Sequence, residues 1–270
     1  MRYFLQLAYR GAAFHGWQSQ PNAVSVQSTI EDSLSLILRT PVNITGAGRT
    51  DTGVNARIMY AHFDCKKPVE DKFKFLLSLN RLVGKEIAIY DLLPVEDNSH
   101  ARFDAVSRTY KYFISQRKDP FHGKLFFQCG KYPDMETMNK AAAILPDTSD
   151  FTSFAKLHSD VKTNICKVTD ACWKPIHEDQ EALDFMGSLH HGIVFTISAD
   201  RFLRNMVRAI VGTLLDVGRG RISIEDFQNI IKAKDRCLAG SSAPPEALFL
   251  WDIKYPFLQQ NKSSISIKES

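Results

Sequence analysis

Three stretches of this chain carry residue types that could do chemistry. The first is residues 46–57, Gly46-Ala47-Gly48-Arg49-Thr50-Asp51-Thr52-Gly53-Val54-Asn55-Ala56-Arg57, which sets one aspartate between two arginines among three glycines. Glycines let the backbone turn tightly and approach a ligand closely. The Asp51 carboxylate is then a candidate nucleophile or base, and Arg49 and Arg57 are candidates to grip phosphates. The plainer alternative is a solvated strand-to-strand loop with a local ion pair, since Asp is common in Gly-rich turns; on residue types alone that alternative is the stronger.

The second stretch is His100-Ala101-Arg102-Phe103 with Ser107-Arg108-Thr109-Tyr110-Lys111-Tyr112. Basic and aromatic side chains interleave there, as on a surface that stacks bases and neutralises phosphates. An amphipathic strand with its tyrosines in the core would read the same way. The third is Arg201-Phe202-Leu203-Arg204-Asn205-Met206-Val207-Arg208. Arg204 and Arg208 are four apart and share a face if this is helix. An arginine drawn toward the apolar side needs a carboxylate partner, for which Asp51 is a candidate; the alternative is a solvated basic face.

Other chemistries find little support. A dinucleotide fingerprint needs its glycines to open a helix, whereas residues 46–57 run on into a strand. No G-K-[ST], HExxH or G-x-S-x-G occurs. His190 and His191 are adjacent, so on a strand they point to opposite faces. Five cysteines without a CxxC pair read as reduced thiols rather than a zinc site or disulfide framework, and so as a cytoplasmic protein. Neither metal nor cofactor is expected. With 44% hydrophobic and 24% charged residues the chain can build a core, and a net charge of +4 suits an anionic partner without requiring one. No apolar run approaches a membrane span, and the opening residues do not form a signal peptide.

The elements that must position these residues follow from periodicity. Alternation predicts strands over 2–9, 57–64, 86–93, 101–117, 165–174, 181–187, 192–199 and 247–255, with a short strand leading into Gly46. Helical spacing predicts helices over 25–39 behind an N-cap Ser25, over 70–83 burying Phe73, Leu76, Leu77 and Val83, over 134–145 from Asp134, over 202–217, and from Ser223. The first half reads β-α-β-β-α-β, and the second reads as strands interrupted by two helices. Pro94 and the polar residues after it mark a junction, so the expected domains are 1–98 and 99–258, with a polar tail over 259–270. The fold class is α+β: two domains, each an antiparallel sheet with helices on one face.

Taken together and in order, these stretches resemble the tRNA pseudouridine synthase A family. Gly48-Arg49-Thr50-Asp51-Thr52-Gly53-Val54 is similar to its catalytic G-R-T-D-x-G-V motif, and the second and third stretches to its base-stacking tyrosine strand and arginine helix. Asp150-Phe151-Thr152-Ser153-Phe154 and Ala243-Pro244-Pro245 resemble further family segments. The resemblance spans roughly residues 3–256. It implies RNA-recognition-like, ferredoxin-like topology with the two sheets abutting around a central cleft. It also implies cofactor-free isomerisation of uridine to pseudouridine in the anticodon stem-loop of tRNA, at positions 38, 39 and 40, by a homodimer. Asp51, Arg208 and Tyr110 would be catalytic, with Arg204 as the fallback for Arg208. Arg49, Arg57, Arg102, Arg108, Arg204 and Asn205, with Tyr110, would bind substrate. Asn55, Thr52, Ser149 and Ala247 depart from the usual His, Ala, His and Gly. A non-catalytic RNA-binding module and a nucleotide-dependent oxidoreductase are the rival readings.

Overall fold

The computed structural model describes residues 1–156, 162–187 and 191–259. His190 and nearly all of the tail expected from 259 lie outside them. The fold is mixed α+β, with nine strands and seven α-helices among the described residues. Contacts divide the chain into two compact units. One holds Met1–Thr52, Ala56–Arg108 and the chain from Trp251 on; the other holds Gly53–Asn55 and Thr109–Leu250.

In the first unit, β1 (Arg2–Tyr9) lies between β3 (Asn55–Asp64) and β4 (Ile87–Val95), antiparallel to both, and β2 (Thr45–Gly46) pairs with β3. β1 is buried on both faces: Leu5 and Leu7 on one, and on the other Phe4, which packs on the rings of Tyr60, Tyr255 and Phe257. α1 (Val26–Leu38) starts at Ser25, whose hydroxyl accepts from the Ser28 N–H while Ser28 answers to the Ser25 N–H. This reciprocal cap satisfies two amides that a helix end otherwise leaves unbonded.

α2 (Lys72–Leu82) forms where helical spacing predicts it, but rotated. Phe75, Leu79 and Val83 are buried, whereas Phe73 and Leu77, expected inside, are exposed and Leu76 is half-buried. Asn80 sets the rotation. Its side chain donates to the Ile89 carbonyl at 2.9 Å and accepts the Ile89 N–H at 2.8 Å, which pins the helix to β4. A pair of polar bonds to an edge strand outranks the apolar count here, because each unmet buried amide costs about 1–3 kcal/mol.

In the second unit the strand order is β5 (Ser107–Ser115), β8 (Ile193–Ala199), β7 (Val168–Pro175), with the two-residue β6 (Phe127–Gln128) parallel to β5. The expected strand over 101–117 begins only at Ser107. Residues 100–104 instead form a turn in which the Asp104 carboxylate accepts the His100 N–H at 2.7 Å. α3 (Met135–Ala142), α5 (Met206–Gly218) and α6 (Ile224–Ala233) pack with Tyr112, Phe195 and Phe227 into one core. Gly218 has no room for a side chain: a Cβ would sit 2.6 Å from Met138 Cγ.

The predicted strand over 181–187 is helix α4 (Gln180–Met186), which adds a fourth helix to those expected over 134–145, over 202–217 and from Ser223. Asp179 caps it by accepting the Ala182 N–H at 2.9 Å, and Ala182 and Met186, four apart, are buried. α4 also places helix on the other sheet face, where Phe185 packs on Phe113 and Phe249. Beneath it the buried Lys111 ammonium sits 2.6 and 2.5 Å from the two Asp179 oxygens. One carboxylate thus starts the helix and neutralises a buried charge, which is why a short segment with an alternating pattern is helical.

Chain passage through β3, β5 and β9 (Leu248–Lys254) links the units, and α7 (Pro256–Gln259) follows β9. All five cysteines are unpaired. Among the described residues no helix is long and apolar enough to cross a membrane, and no group of three or more His, Cys, Asp or Glu could hold a metal.

Candidate active site

Asp51 occupies a turn between β2 and β3 whose neighbours carry the anchoring. Within the first unit, buried Thr50 shares a 2.8 Å hydrogen bond with the Tyr9 hydroxyl, and its carbonyl accepts the Trp17 N–H at 3.2 Å. Gly16, at φ +91°, lies so close that a Cβ would come within 2.6 Å of the Thr50 oxygen. Gly46 is in contact with the Trp17 indole, where a Cβ would sit 2.4 Å away. These contacts fix the entry to the turn and leave Asp51 half-buried and Arg49 exposed. Arg57, half-buried on β3, lies over the Trp251 ring at 4.6 Å, a cation–π contact that orients its guanidinium.

The exit from the turn belongs to the second unit. Gly53 has φ +81°, and its Cβ position lies 3.0 Å from Pro245 Cγ. Val54 is part of the buried core. Asn55, the letter that departs from the motif, is 2% exposed, and its amide nitrogen donates to the Glu246 carbonyl at 2.7 Å.

The segment that carries Pro245 and Glu246 also meets the arginine helix. The Arg208 Nε donates to the Ala243 carbonyl at 2.8 Å, and the Ala243 N–H returns to the Arg208 carbonyl at 2.9 Å. Gly212 lets residues 240–243 lie against α5; a Cβ there would meet the Ser241 oxygen at 1.8 Å. Thr213 bonds the Gly240 N–H at 3.0 Å, and Asn205 and Arg236 both donate to the Ser242 hydroxyl, at 2.7 and 3.0 Å. Residues 240–247 therefore form a bracket with Arg208 at one end and Gly53–Asn55 at the other.

Arg204 and Arg208 do not share a helix face. Asn205 takes the left-handed conformation, φ +65°, and α5 begins only at Met206, so Arg201 and Arg204 precede it. Asn tolerates this conformation because its short polar side chain finds a local partner, here Ser242. Arg204 is exposed and Arg208 half-buried. Tyr110, half-buried on β5, meets the Phe202 ring edge-on at 5.1 Å. On the same face the Tyr112 hydroxyl is buried without a hydrogen-bond partner. Burial, then Glu246, drives its acidity far down, against the pull of Arg208 and Arg219.

Arg102 and Arg108 part company. Arg102 is exposed, its guanidinium 5.8 Å from the ring of exposed Phe103. Arg108 donates to the carbonyls of Ala47, Arg102 and Ala105 at 3.0, 2.6 and 2.9 Å, tying the start of the motif to the 100–105 turn. His62 supports that turn by accepting the Ala101 N–H at 3.1 Å. Burial, with Arg2 and His100 nearby, holds the His62 imidazole down to about 4.

A family model described as tRNA pseudouridine synthase matches residues 141–256. Proteins named tRNA pseudouridine synthase A match far more of the chain. That of Parabacteroides distasonis is 54% identical over 94% of this chain and 96% of its own length. That of Porphyromonas gingivalis is 51% identical over 94% and 97%. That of Exiguobacterium sp. is 35% identical over 93% and 96%. The chain belongs to the tRNA pseudouridine synthase A family.

The turn and the bracket depend on residues that motif reading passes over. Ser242, Glu246, Gly212 and Thr213 hold the bracket, and Tyr9, Gly16 and Trp17 hold the turn. Gly212 was open to detection, because a glycine inside an otherwise apolar helix signals close packing. The Glu246 backbone carbonyl leaves no sequence signal.

Proposed function

We propose that this protein isomerises uridine to pseudouridine in the anticodon stem-loop of tRNA, at positions 38, 39 and 40, as a cytoplasmic homodimer, with Asp51 as the catalytic carboxylate. The observation that carries the reading is the division of labour in the motif: Thr50, Gly53 and Asn55 fasten the turn on both sides of Asp51. Asp51 is thereby presented by a scaffold built from its neighbours, as a reacting group requires.

The reaction breaks the N1–C1′ bond, turns the uracil and forms the C5–C1′ bond. The proton lost from C5 balances the one gained at N1, so neither redox chemistry nor a net proton is needed. One carboxylate serves, as nucleophile or as base. Arg208 is held through Nε by Ala243 and acts as the cation that orients it. The base must leave the stack, at a cost of a few kcal/mol, and Tyr110 offsets part of this by stacking on it, at ~1–3 kcal/mol per base. Arg49, Arg57 and Arg102 take phosphates, Arg204 joins them ahead of α5, and Arg108 and Asn205 shape the substrate-binding backbone through the carbonyls and hydroxyl they hold.

The test is release of tritium from tRNA labelled at uracil C5. Asp51→Ala is expected to abolish release while tRNA binding survives. Normal release by that variant would sink the assignment. Tight tRNA binding by the wild type without any release would make the protein an RNA-binding module instead.

A further inference from the structure

Residues 117–124, Arg117-Lys118-Asp119-Pro120-Phe121-His122-Gly123-Lys124, join β5 to β6 and have no part in the site above. Phe121 at the tip is 93% exposed. The loop nevertheless has defined internal bonding. Asp119 accepts the N–H groups of Phe121 and His122 at 2.7 and 3.1 Å and pairs with the His122 ring at 2.9 Å. At the base, the Ser115 hydroxyl accepts the Arg117 N–H at 3.1 Å. Asp119 thus holds the backbone at Phe121 and His122, and the Phe121 ring stands in solvent. Arg117, Lys118 and Lys124 lie within four residues of it in the same loop, all exposed. The loop lines an open hollow of about 360 Å³, whose wall includes Lys118, Asp119, Lys124, Phe126, Gln128 and Glu246. Its wall thus includes the residue whose carbonyl holds Asn55.

An exposed aromatic ring on a loop with three exposed cations, beside a nucleotide-sized hollow, has the chemistry of a single-stranded RNA contact: stacking that tolerates any base, and charge along the backbone. We propose that residues 117–124 and this cavity form a second RNA-contacting element, in which Phe121 stacks on an unpaired base of the substrate and Lys118 and Lys124 hold its phosphates. This rests on the tRNA reading above and extends it to residues outside the motifs.

The experiment measures tRNA binding by fluorescence anisotropy across a salt series, in the Asp51→Asn background so that turnover does not intrude. Because the Phe121 ring is almost wholly exposed, Phe121→Ala does not threaten the fold. It is expected to raise the dissociation constant about 5- to 100-fold, the range of one base–aromatic stack. Lys118→Ala with Lys124→Ala is expected to raise it too and to flatten the plot of log affinity against log salt by about 1–2. With Asp51 restored, the defect should appear as a raised KM for tRNA. An unchanged dissociation constant in Phe121→Ala, or an unchanged salt slope in the lysine variant, overturns the proposal. So does a Phe121→Ala protein that alters self-association in sedimentation without altering RNA affinity, which would make the ring a protein contact. If loop variants weaken RNA binding but the wild type releases no tritium, the isomerase reading falls and this one stands. If release is normal and the loop variants bind normally, only this one falls.

Discussion

Two short basic turns in this molecule each carry one aspartate, and different residues anchor the two turns. In the 117–124 loop, Asp119 builds the turn: its carboxylate takes two backbone N–H groups and a histidine ring. In the 46–57 turn the builders are the neighbours, Thr50 through Tyr9, Gly53 against Pro245, and Asn55 through Glu246. A carboxylate that organises its own loop is committed to the ground state. A turn anchored by its neighbours keeps its shape when its own carboxylate is changed. The same residue type in similar composition is therefore structural in one place and a candidate catalyst in the other.

The sharpest way to break this contrast is to neutralise both aspartates without changing their shape. Asp51→Asn is expected to lose tritium release altogether with little change in melting temperature, and Asp119→Asn to keep it. Equal losses in the two variants would erase the distinction. Next in size is Gly212→Ala, which drives a methyl into the Ser241 carbonyl and displaces the bracket that carries Arg208 and Glu246. Overpacking of this kind costs about 1–3 kcal/mol. We expect it to lower kcat more than it raises KM, measured by steady-state kinetics beside thermal melts.

Asn55→Ala isolates one anchor of the turn. It leaves the Glu246 carbonyl without its donor, a loss of about 1–3 kcal/mol, or very roughly 2–10 °C in Tm for a chain of this size. A fall in kcat beyond what lost stability explains is expected, with partial rescue by Asn55→His, whose ring can again donate to that carbonyl; unchanged kinetics would mean the anchor is not needed. The smallest effect concerns the 100–105 turn. His62 titrates near 4 in the fold against 6.5 ordinarily, so the unfolded chain binds the proton more readily. Its contribution is present above pH 6.5 and is lost as pH falls from 6.5 toward 4. Urea midpoints at pH 7.0 and 4.5 should converge partly in His62→Asn; an unchanged difference would remove His62 from the account.

The element order of the first half was legible because it depends on local signals. Alternation marked β1, and Ser25 and Ser223 announced their helices as caps. Misreadings arose where a distant polar bond decided the matter. Asn80 reached β4 and turned α2 about its axis, Asp179 found Lys111 and made a helix of a supposed strand, and Asn205 found Ser242 and shortened α5. For the candidate site, Asp51, Tyr110 and Arg208 were readable only as residue types in an order that resembles the family's. The anchors around them were mostly backbone carbonyls and close approaches, which carry no letter of their own.

By itself the sequence determined the α+β class, the capped helices, the family and the short roster of residues able to react, since these depend on residue type and spacing along one chain. Only the tertiary structure decided that Asn55 is a buried strut, that Arg108 is engaged with carbonyls, and that Phe121 stands in solvent. Each of those outcomes is set by a partner, or an empty space, that the fold brings from elsewhere in the chain. Burial then raises the cost of an unmet hydrogen bond enough to fix the choice.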